Sequence, residues 1–226
     1  MPNARKIAAR KKQPSGPIPS LRWEQEAWRD GAATVAGVDE VGVGPLAGPV
    51  TAAAVMLGPE DAQPWFQRVR DSKMLKAATR EELASEIQES IPSGIGWATS
   101  AEVDSKGILE ARRLSVLRAI EALPCRPDAI ISDALPLPLP RVRVEPKADV
   151  HSVSVAAASI VAKVARDRWM TELCERLPGY GFCRNKGYYT ADHRTAIDRR
   201  GPCEAHRVSW APFAQGKLEL LDITRD

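Results

Sequence analysis

The chain has 226 residues, of which 44% are hydrophobic and 27% charged, and its formal net charge is +3. This length and composition are typical of a globular protein with one buried core, and the net charge is too small to identify a polyanionic partner. The apolar stretches are too short for a membrane span or a secretory signal, so we expect a cytoplasmic protein without a membrane partner. The four cysteines are widely spaced and predict reduced thiols, not a zinc or redox motif.

The positive charge is concentrated at the N-terminus. Residues 1–20 contain five basic residues and no acidic residue. We therefore predict a basic, disordered arm over residues 1–30, which is either a solvated tail or a segment that contacts phosphates nonspecifically. Residues 31–215 are assigned to one folded domain, and residues 216–226 to a C-terminal tail.

The first predicted elements are two buried strands. Apolar runs cover residues 33–38 and 50–57, and a turn rich in glycine and proline separates them. Asp39 and Glu40 close the first of these strands. An acidic pair at the end of a buried strand is either a turn feature or part of a ligand site.

Helices and strands alternate in the rest of the chain. Thr79 and Glu82 have the spacing of a capping box, which predicts a helix that begins there, and Asp104 is expected to cap a second helix. The remaining predicted elements are short strands at residues 95–99, 129–133 and 142–144, and one long helix from Ser152 to about Leu177. This order predicts a mixed α/β sheet with helices packed on its faces.

Four carboxylates stand at the ends of these predicted elements. Asp39 and Glu40 end the first strand, Asp133 ends another, and Asp149 lies just before the long helix. Taken singly, each could be a turn acid, a loop cap or a helix-entry acid. Together they would repel one another by about 1 kcal/mol per pair in water and by more in a partly buried site, so they require a cation. Hard divalent ions with oxygen ligands meet this need, and two such ions hydrolyse phosphodiesters in nucleases.

A competing interpretation comes from residues 42–47, which fit the dinucleotide-binding pattern G-x-G-x-x-A after a strand. Pro45 lies inside this loop, and a predicted strand follows it where the pattern requires a helix. We therefore place a dinucleotide-binding oxidoreductase third, and expect the glycines to let a nucleic-acid backbone come close.

Residues 37–50 have the sequence Gly-Val-Asp-Glu-Val-Gly-Val-Gly-Pro-Leu-Ala-Gly-Pro-Val. This sequence closely resembles the opening motif of the ribonuclease HII family, the type 2 ribonucleases H. Further similar motifs follow in the family's order at residues 71–73, 131–133, 147–149, 156–167 and 180–193. The resemblance covers residues 35–213.

The resemblance implies a ribonuclease H-like fold, with a mixed five-stranded sheet, flanking helices and a helical C-terminal part that holds the substrate. It implies that Asp39, Glu40, Asp133 and Asp149 are catalytic and bind two Mg²⁺ or Mn²⁺ ions. The implied activity is hydrolysis of the RNA strand of RNA/DNA hybrids, and cleavage 5′ of single ribonucleotides in duplex DNA. The products would carry 3′-hydroxyl and 5′-phosphate ends, and we expect a monomer.

The resemblance also implies substrate-binding residues. These are Gly42, Val43, Gly44, Lys73, Lys163, Arg166, Lys186 and Tyr188. The lysines and Arg166 would contact phosphates or balance charge, and Tyr188 would stack near the sugar at the RNA-to-DNA junction. Lys163 and Asp167 could instead form a simple intrahelical pair. The C-terminal basic residues suit either a duplex cradle or a solvated surface; they are His193, Arg194, Arg199, Arg200, His206 and Arg207.

The chain departs from the family pattern at two positions. Val43 stands where the family typically has arginine, and Ala134 stands where glycine commonly follows the third acid. The first change predicts weaker substrate binding or an altered junction preference. Two further alternatives are a ribonuclease HIII-like hybrid nuclease, which usually carries an N-terminal substrate-binding domain, and a catalytically weak duplex-binding protein.

Overall fold

The computed structural model describes residues 18–214, which fold around a five-stranded sheet with strand order β3-β2-β1-β4-β5. The strands are β1 (Val35–Val41), β2 (Val50–Leu57), β3 (Ser93–Ala98), β4 (Ala129–Asp133) and β5 (Val142–Glu145). The helices are α1 (Arg22–Arg29), α2 (Ala77–Ser90), α3 (Ser100–Lys106), α4 (Ile108–Glu121), α5 (Val153–Arg176), α6 (Phe182–Asn185) and α7 (Ala191–Arg200). The predicted mixed sheet, its flanking helices and its helical C-terminal part are confirmed.

The direction of the strands decides where the acidic residues lie. β1 pairs antiparallel with β2 and parallel with β4, which in turn pairs parallel with β5. The carboxyl ends of the three parallel strands therefore meet at one edge of the sheet. Ligand sites of α/β proteins commonly lie at this edge.

Helices cover both faces of the sheet. On one face, α2 and α5 bury the apolar side chains of β2, and on the other α4 packs against β1, β2 and β3. Gly37 allows α5 to begin directly against β1, because a Cβ atom there would collide with the backbone of Ser154 and Val155. No helix in the described range 18–214 is long and apolar enough to cross a membrane.

One of two predicted helix starts agrees with the structure, and the other does not. The long helix is confirmed, and the hydroxyl of Ser152 caps it by accepting the N–H of Val155 at 3.2 Å. The capping box at Thr79 is wrong, because α2 already begins at Ala77 and places Thr79 inside its first turn.

The predicted cap at Asp104 is also wrong. Thr99 caps α3, and Glu102 completes a capping box with it. Asp104 lies inside that short helix, and its carboxylate accepts the backbone N–H groups of Val208 and Ser209. The Asp104 carboxylate thus makes a long-range contact instead of the local helix cap that the sequence predicted.

The prediction of a disordered arm over residues 1–30 is wrong for α1. This helix buries Glu24, and one oxygen of its carboxylate accepts hydrogen bonds from the hydroxyls of Ser152 and Ser154 and from the Ser154 N–H. The carboxylate satisfies one free N–H group at the start of α5 and thereby links α1 to that helix. The arm at residues 1–17 and the tail at residues 216–226 lie outside the described residues.

Two of the four cysteines lie side by side. Cys174 of α5 and Cys183 of α6 have a Cα–Cα distance of 5.3 Å, which is within the range of a disulfide, whereas Cys125 and Cys203 have no cysteine partner. The turn between α5 and α6 brings these residues together, and their spacing of nine residues matches no familiar motif.

Candidate active site

The four predicted carboxylates lie at the same edge of the sheet. Asp39 and Glu40 are near the end of β1, Asp133 is the last residue of β4, and Asp149 lies in a short 3-10 helix just before α5. The pKa of Asp39 is raised well above its usual value, first by burial and then by the charge of Glu40, with Asp133 and Asp149 adding to the effect. The structure therefore brings together the residues that the sequence singled out.

Hydrogen bonds hold one oxygen of three of these carboxylates. Asp39 Oδ1 accepts the N–H of Glu40 at 2.8 Å, and Asp133 Oδ1 accepts the N–H of Ala148 at 3.0 Å. Glu40 Oε1 accepts from Nε of Arg112 at 2.7 Å. These contacts orient each of the three side chains through one of its oxygens.

The cluster has too little positive charge to balance its acids. Burial raises the pKa of Glu40, although Arg112 opposes this rise. Burial also raises the pKa of Asp149, as do the charges of Asp71 and Asp133, whereas Lys73 lowers it. Both shifts mean that ionised carboxylates are costly here without a further cation.

The donor set fits a hard divalent ion. Within residues 18–214, no three His, Cys, Asp or Glu side chains are already arranged around a common point as metal ligands. Mg²⁺ does not require such a closed cage, because it usually takes one or two carboxylates and keeps several waters. An added ion would also relieve the repulsion that raises the pKa values of the acids.

Arg166 of α5 holds the glycine loop, residues 42–49 between β1 and β2, in place. Its side chain is fully buried and donates to the carbonyls of Ala47, Pro49 and Lys186 at 3.0–3.1 Å. Of the two roles predicted for Arg166, a phosphate contact and charge balance, these contacts favour the second, because its guanidinium is enclosed among backbone carbonyls. Burial lowers the pKa of Arg166 to about 10, which still leaves it charged at neutral pH.

Arg207 holds the same loop from the C-terminal part. It is fully buried and donates to the carbonyls of Gly42, Val43 and Gly48. Gly42 has φ +88°, and a Cβ atom there would collide with the side chain of Arg166. The loop thus takes a fixed shape that requires glycine.

Tyr188 lies on the open side of this loop. Its side chain is 46% exposed, and its Cε1 atom lies 4.0 Å from where a Cβ atom of Gly44 would be. An exposed aromatic ring beside a glycine loop forms a surface on which a sugar or base can stack.

The predicted lysines lie around this region with different partners. Lys163 pairs with Asp167 at 2.8 Å, as the alternative interpretation expected. Lys186 Nζ donates to the Asp167 carbonyl at 3.2 Å and to the Thr171 hydroxyl at 2.8 Å. Lys73 is exposed and lies near enough to Asp149 to influence its pKa. All three lysines remain candidates for phosphate contacts.

Two buried histidines, His193 and His206, support the backbone of Tyr188. His206 Nδ1 accepts the N–H of Cys203 at 2.9 Å, which assigns its own proton to Nε2. His206 Nε2 lies 3.1 Å from His193 Nε2, and His193 Nδ1 then donates to the Tyr188 carbonyl at 2.9 Å. Burial lowers the pKa of both rings, that of His206 to about 4, so this chain of hydrogen bonds stays neutral at physiological pH.

The predicted basic cradle is thereby smaller than expected. His193, His206 and Arg207 are buried and serve internal contacts, so they form neither the duplex cradle nor the solvated surface that were the two alternatives for them. The remaining three members, Arg194, Arg199 and Arg200, are exposed on α7. Sequence alone could not separate the two groups, because both consist of basic residues near one another in the chain.

Comparisons with known proteins agree with one another on family and fold. A family model described as Ribonuclease HII matches residues 36–213. The chain is 46% identical over 198 residues to a Ribonuclease HII of Geobacillus thermodenitrificans, covering 86% of this chain and 75% of that protein. It is 47% identical over 199 residues to one of Thermus thermophilus, covering 87% and 95%. The solved ribonuclease H2 of Pyrococcus horikoshii OT3 superposes with a TM-score of 0.70 at 25% identity, covering 83% of this chain and 99% of that chain.

Proposed function

Because the chain belongs to the ribonuclease HII family and is a type 2 ribonuclease H, we propose that it cuts both RNA/DNA hybrids and single embedded ribonucleotides. In hybrids it hydrolyses the RNA strand, and in duplex DNA it cuts on the 5′ side of the ribonucleotide. The products carry 3′-hydroxyl and 5′-phosphate ends. The observation that carries this proposal is the cluster of four carboxylates at one edge of the sheet, beside the glycine loop and the exposed ring of Tyr188.

The proposed catalytic and metal-binding residues are Asp39, Glu40, Asp133 and Asp149. Two Mg²⁺ or Mn²⁺ ions bound there would activate a water and stabilise the leaving oxygen. The backbone contacts to Asp39 and Asp133 fix one oxygen of each side chain.

Substrate recognition is proposed to use the loop and the ring together. Gly42 and Gly44 let the ribose approach the backbone, and Tyr188 stacks near the sugar. The ribose 2′-hydroxyl, as donor and acceptor, distinguishes RNA from DNA at this point. Arg166 and Arg207 are proposed to act indirectly. They hold the loop in shape by donating to its backbone carbonyls and do not contact the substrate.

A cleavage assay tests the proposal. An end-labelled DNA duplex with one ribonucleotide is incubated with the protein in Mg²⁺ or in EDTA, and the cut is mapped against a ladder. We expect a metal-dependent cut on the 5′ side of the ribonucleotide that Asp133→Asn abolishes. A hybrid cut without any cut at the single ribonucleotide would refute the junction activity and favour the ribonuclease HIII-like alternative. Binding without cleavage of either substrate would favour the duplex-binding alternative.

A further inference from the structure

Arg112 contacts the carboxylate cluster directly, although the proposed function assigns it no role. It lies in α4, on the opposite face of the sheet from α5. Its Nε and Nη2 atoms approach the same oxygen of Glu40, Oε1, at 2.7 and 2.6 Å. Among the described residues, Arg112 is the one whose side chain forms an ion pair with any of the four carboxylates.

The other cations near the cluster are engaged differently. Arg166 and Arg207 are buried against backbone carbonyls, and Lys73 influences Asp149 without an ion pair to it. The Glu40 side chain is only 7% exposed, whereas that of Arg112 is 25% exposed. The pair therefore lies at the border between the buried cluster and solvent, where charge interactions are strong but still screened.

The geometry of the pair has two opposite consequences. Two guanidinium nitrogens on a single oxygen, Oε1, fix the orientation of Glu40. At the same time, a permanent positive charge next to this carboxylate repels any cation that binds to it. An arginine cannot lose its proton under these conditions, so the repulsion is constant.

We propose that Arg112 is a positioning residue that holds Glu40 in place and lowers the affinity of the cluster for divalent ions. This inference rests on the proposed metal site. The charge of Arg112 balances part of the negative charge of the cluster. This lowers the electrostatic cost of the four carboxylates in the folded protein before metal binds. The consequence is a site that requires a higher concentration of divalent ion than four unpaired carboxylates would.

The test is a metal-binding titration without substrate. Mn²⁺ is added to the metal-free protein, and free Mn²⁺ is measured from its electron paramagnetic resonance signal. The variants are Arg112→Ala and Arg112→Lys. Arg113→Ala is the matched control, because Arg113 is the next residue of α4 and contacts Glu110 and the Pro136 carbonyl instead of the cluster. Circular dichroism confirms that each variant is folded.

We expect Arg112→Ala to bind Mn²⁺ about tenfold more tightly than the original protein, which corresponds to repulsion between a divalent ion and a guanidinium in a solvated site. Arg112→Lys keeps the charge and should stay within about threefold, and Arg113→Ala should not change. The Mn²⁺ concentration for half-maximal cleavage by Arg112→Ala should fall in parallel, whereas its kcat should fall because Glu40 is less well held.

Two other results have distinct meanings. Unchanged or weaker Mn²⁺ binding by folded Arg112→Ala would overturn the inference, because it would show that Arg112 does not oppose the metal. A lack of Mn²⁺ binding by the original protein would instead overturn the proposed metal site, and this inference would fall with it.

Discussion

Asp39→Asn should stabilise the metal-free protein even though it removes a proposed catalytic residue. The negative charges of Glu40, Asp133 and Asp149 each raise the pKa of Asp39. Like charges in contact repel by about 1 kcal/mol per pair in water and by more when partly buried, so removal of one charge should raise the free energy of unfolding by about 1–3 kcal/mol. Asparagine keeps the oxygen that accepts the Glu40 N–H, so the local backbone contact survives.

The pH dependence gives the sign of this effect. The folded pKa values of Asp39 and Glu40 lie above their unfolded values of 3.8 and 4.5. Their electrostatic penalty is therefore absent at low pH and grows as the pH rises through the folded pKa values. The stability gained by Asp39→Asn should be present at pH 8 and become small near pH 4.

Equilibrium unfolding in urea with EDTA, followed by circular dichroism at both pH values, measures this gain. Asp128→Asn is the control with the opposite sign. The Asp128 carboxylate accepts the N–H groups of Ala33 and Thr34, which lower its pKa, so its loss should destabilise the protein. An Asp39→Asn variant that is less stable than the original protein at pH 8, or equally stabilised at both pH values, would refute the reasoning.

Three further substitutions test other parts of the site. Ala134→Gly should raise the free energy of urea unfolding by about 1 kcal/mol, because Ala134 has φ +53°, where a Cβ atom is crowded. Val43→Arg should lower KM for the ribonucleotide duplex about tenfold with little change in kcat, because it adds a guanidinium for a phosphate. His206→Gln should lose less stability than the original protein as the pH falls from 6.5 towards 4, because the pKa of His206 is lowered to about 4 and its protonation opposes folding.

Each of these expectations has a result that contradicts it. A destabilised Ala134→Gly would show that the left-handed backbone is not strained. An unchanged KM for Val43→Arg would show that the loop does not face a phosphate. A His206→Gln variant with the same acid sensitivity as the original protein would place the responsible group elsewhere.

The sheet and the carboxylate cluster were predictable because both depend on local patterns. Val50–Leu57 is apolar except for Thr51, and all eight of its residues are buried, as expected of a strand covered on both faces. Asp39 and Asp133 end such runs, and parallel strands bring their carboxyl ends to one edge. The order of strands and helices in the sequence was therefore enough to predict where the carboxylate cluster lies.

The roles of several basic residues were not predictable for a physical reason. Arg112, Arg166 and Arg207 differ in what surrounds them, not in their own chemistry. Whether a guanidinium faces a phosphate, a carboxylate or backbone carbonyls depends on contacts between residues far apart in the chain. Val43 and Gly42, for example, meet Arg207 across more than 160 residues. The predicted helix cap at Asp104 was wrong for a similar reason, because its carboxylate accepts a hydrogen bond from the distant residue Val208.

The most direct test of the central claim is the rate of cleavage by four isosteric variants, with substrate affinity measured alongside. Asp39→Asn, Glu40→Gln, Asp133→Asn and Asp149→Asn are each assayed on the ribonucleotide duplex in saturating Mg²⁺, and the Kd for the duplex is measured in EDTA. We expect each variant to lose at least about a hundredfold in kcat while its Kd changes little, because the four carboxylates act as one unit. A variant that keeps kcat within about tenfold of the original protein would contradict the claim that its carboxylate belongs to the catalytic centre.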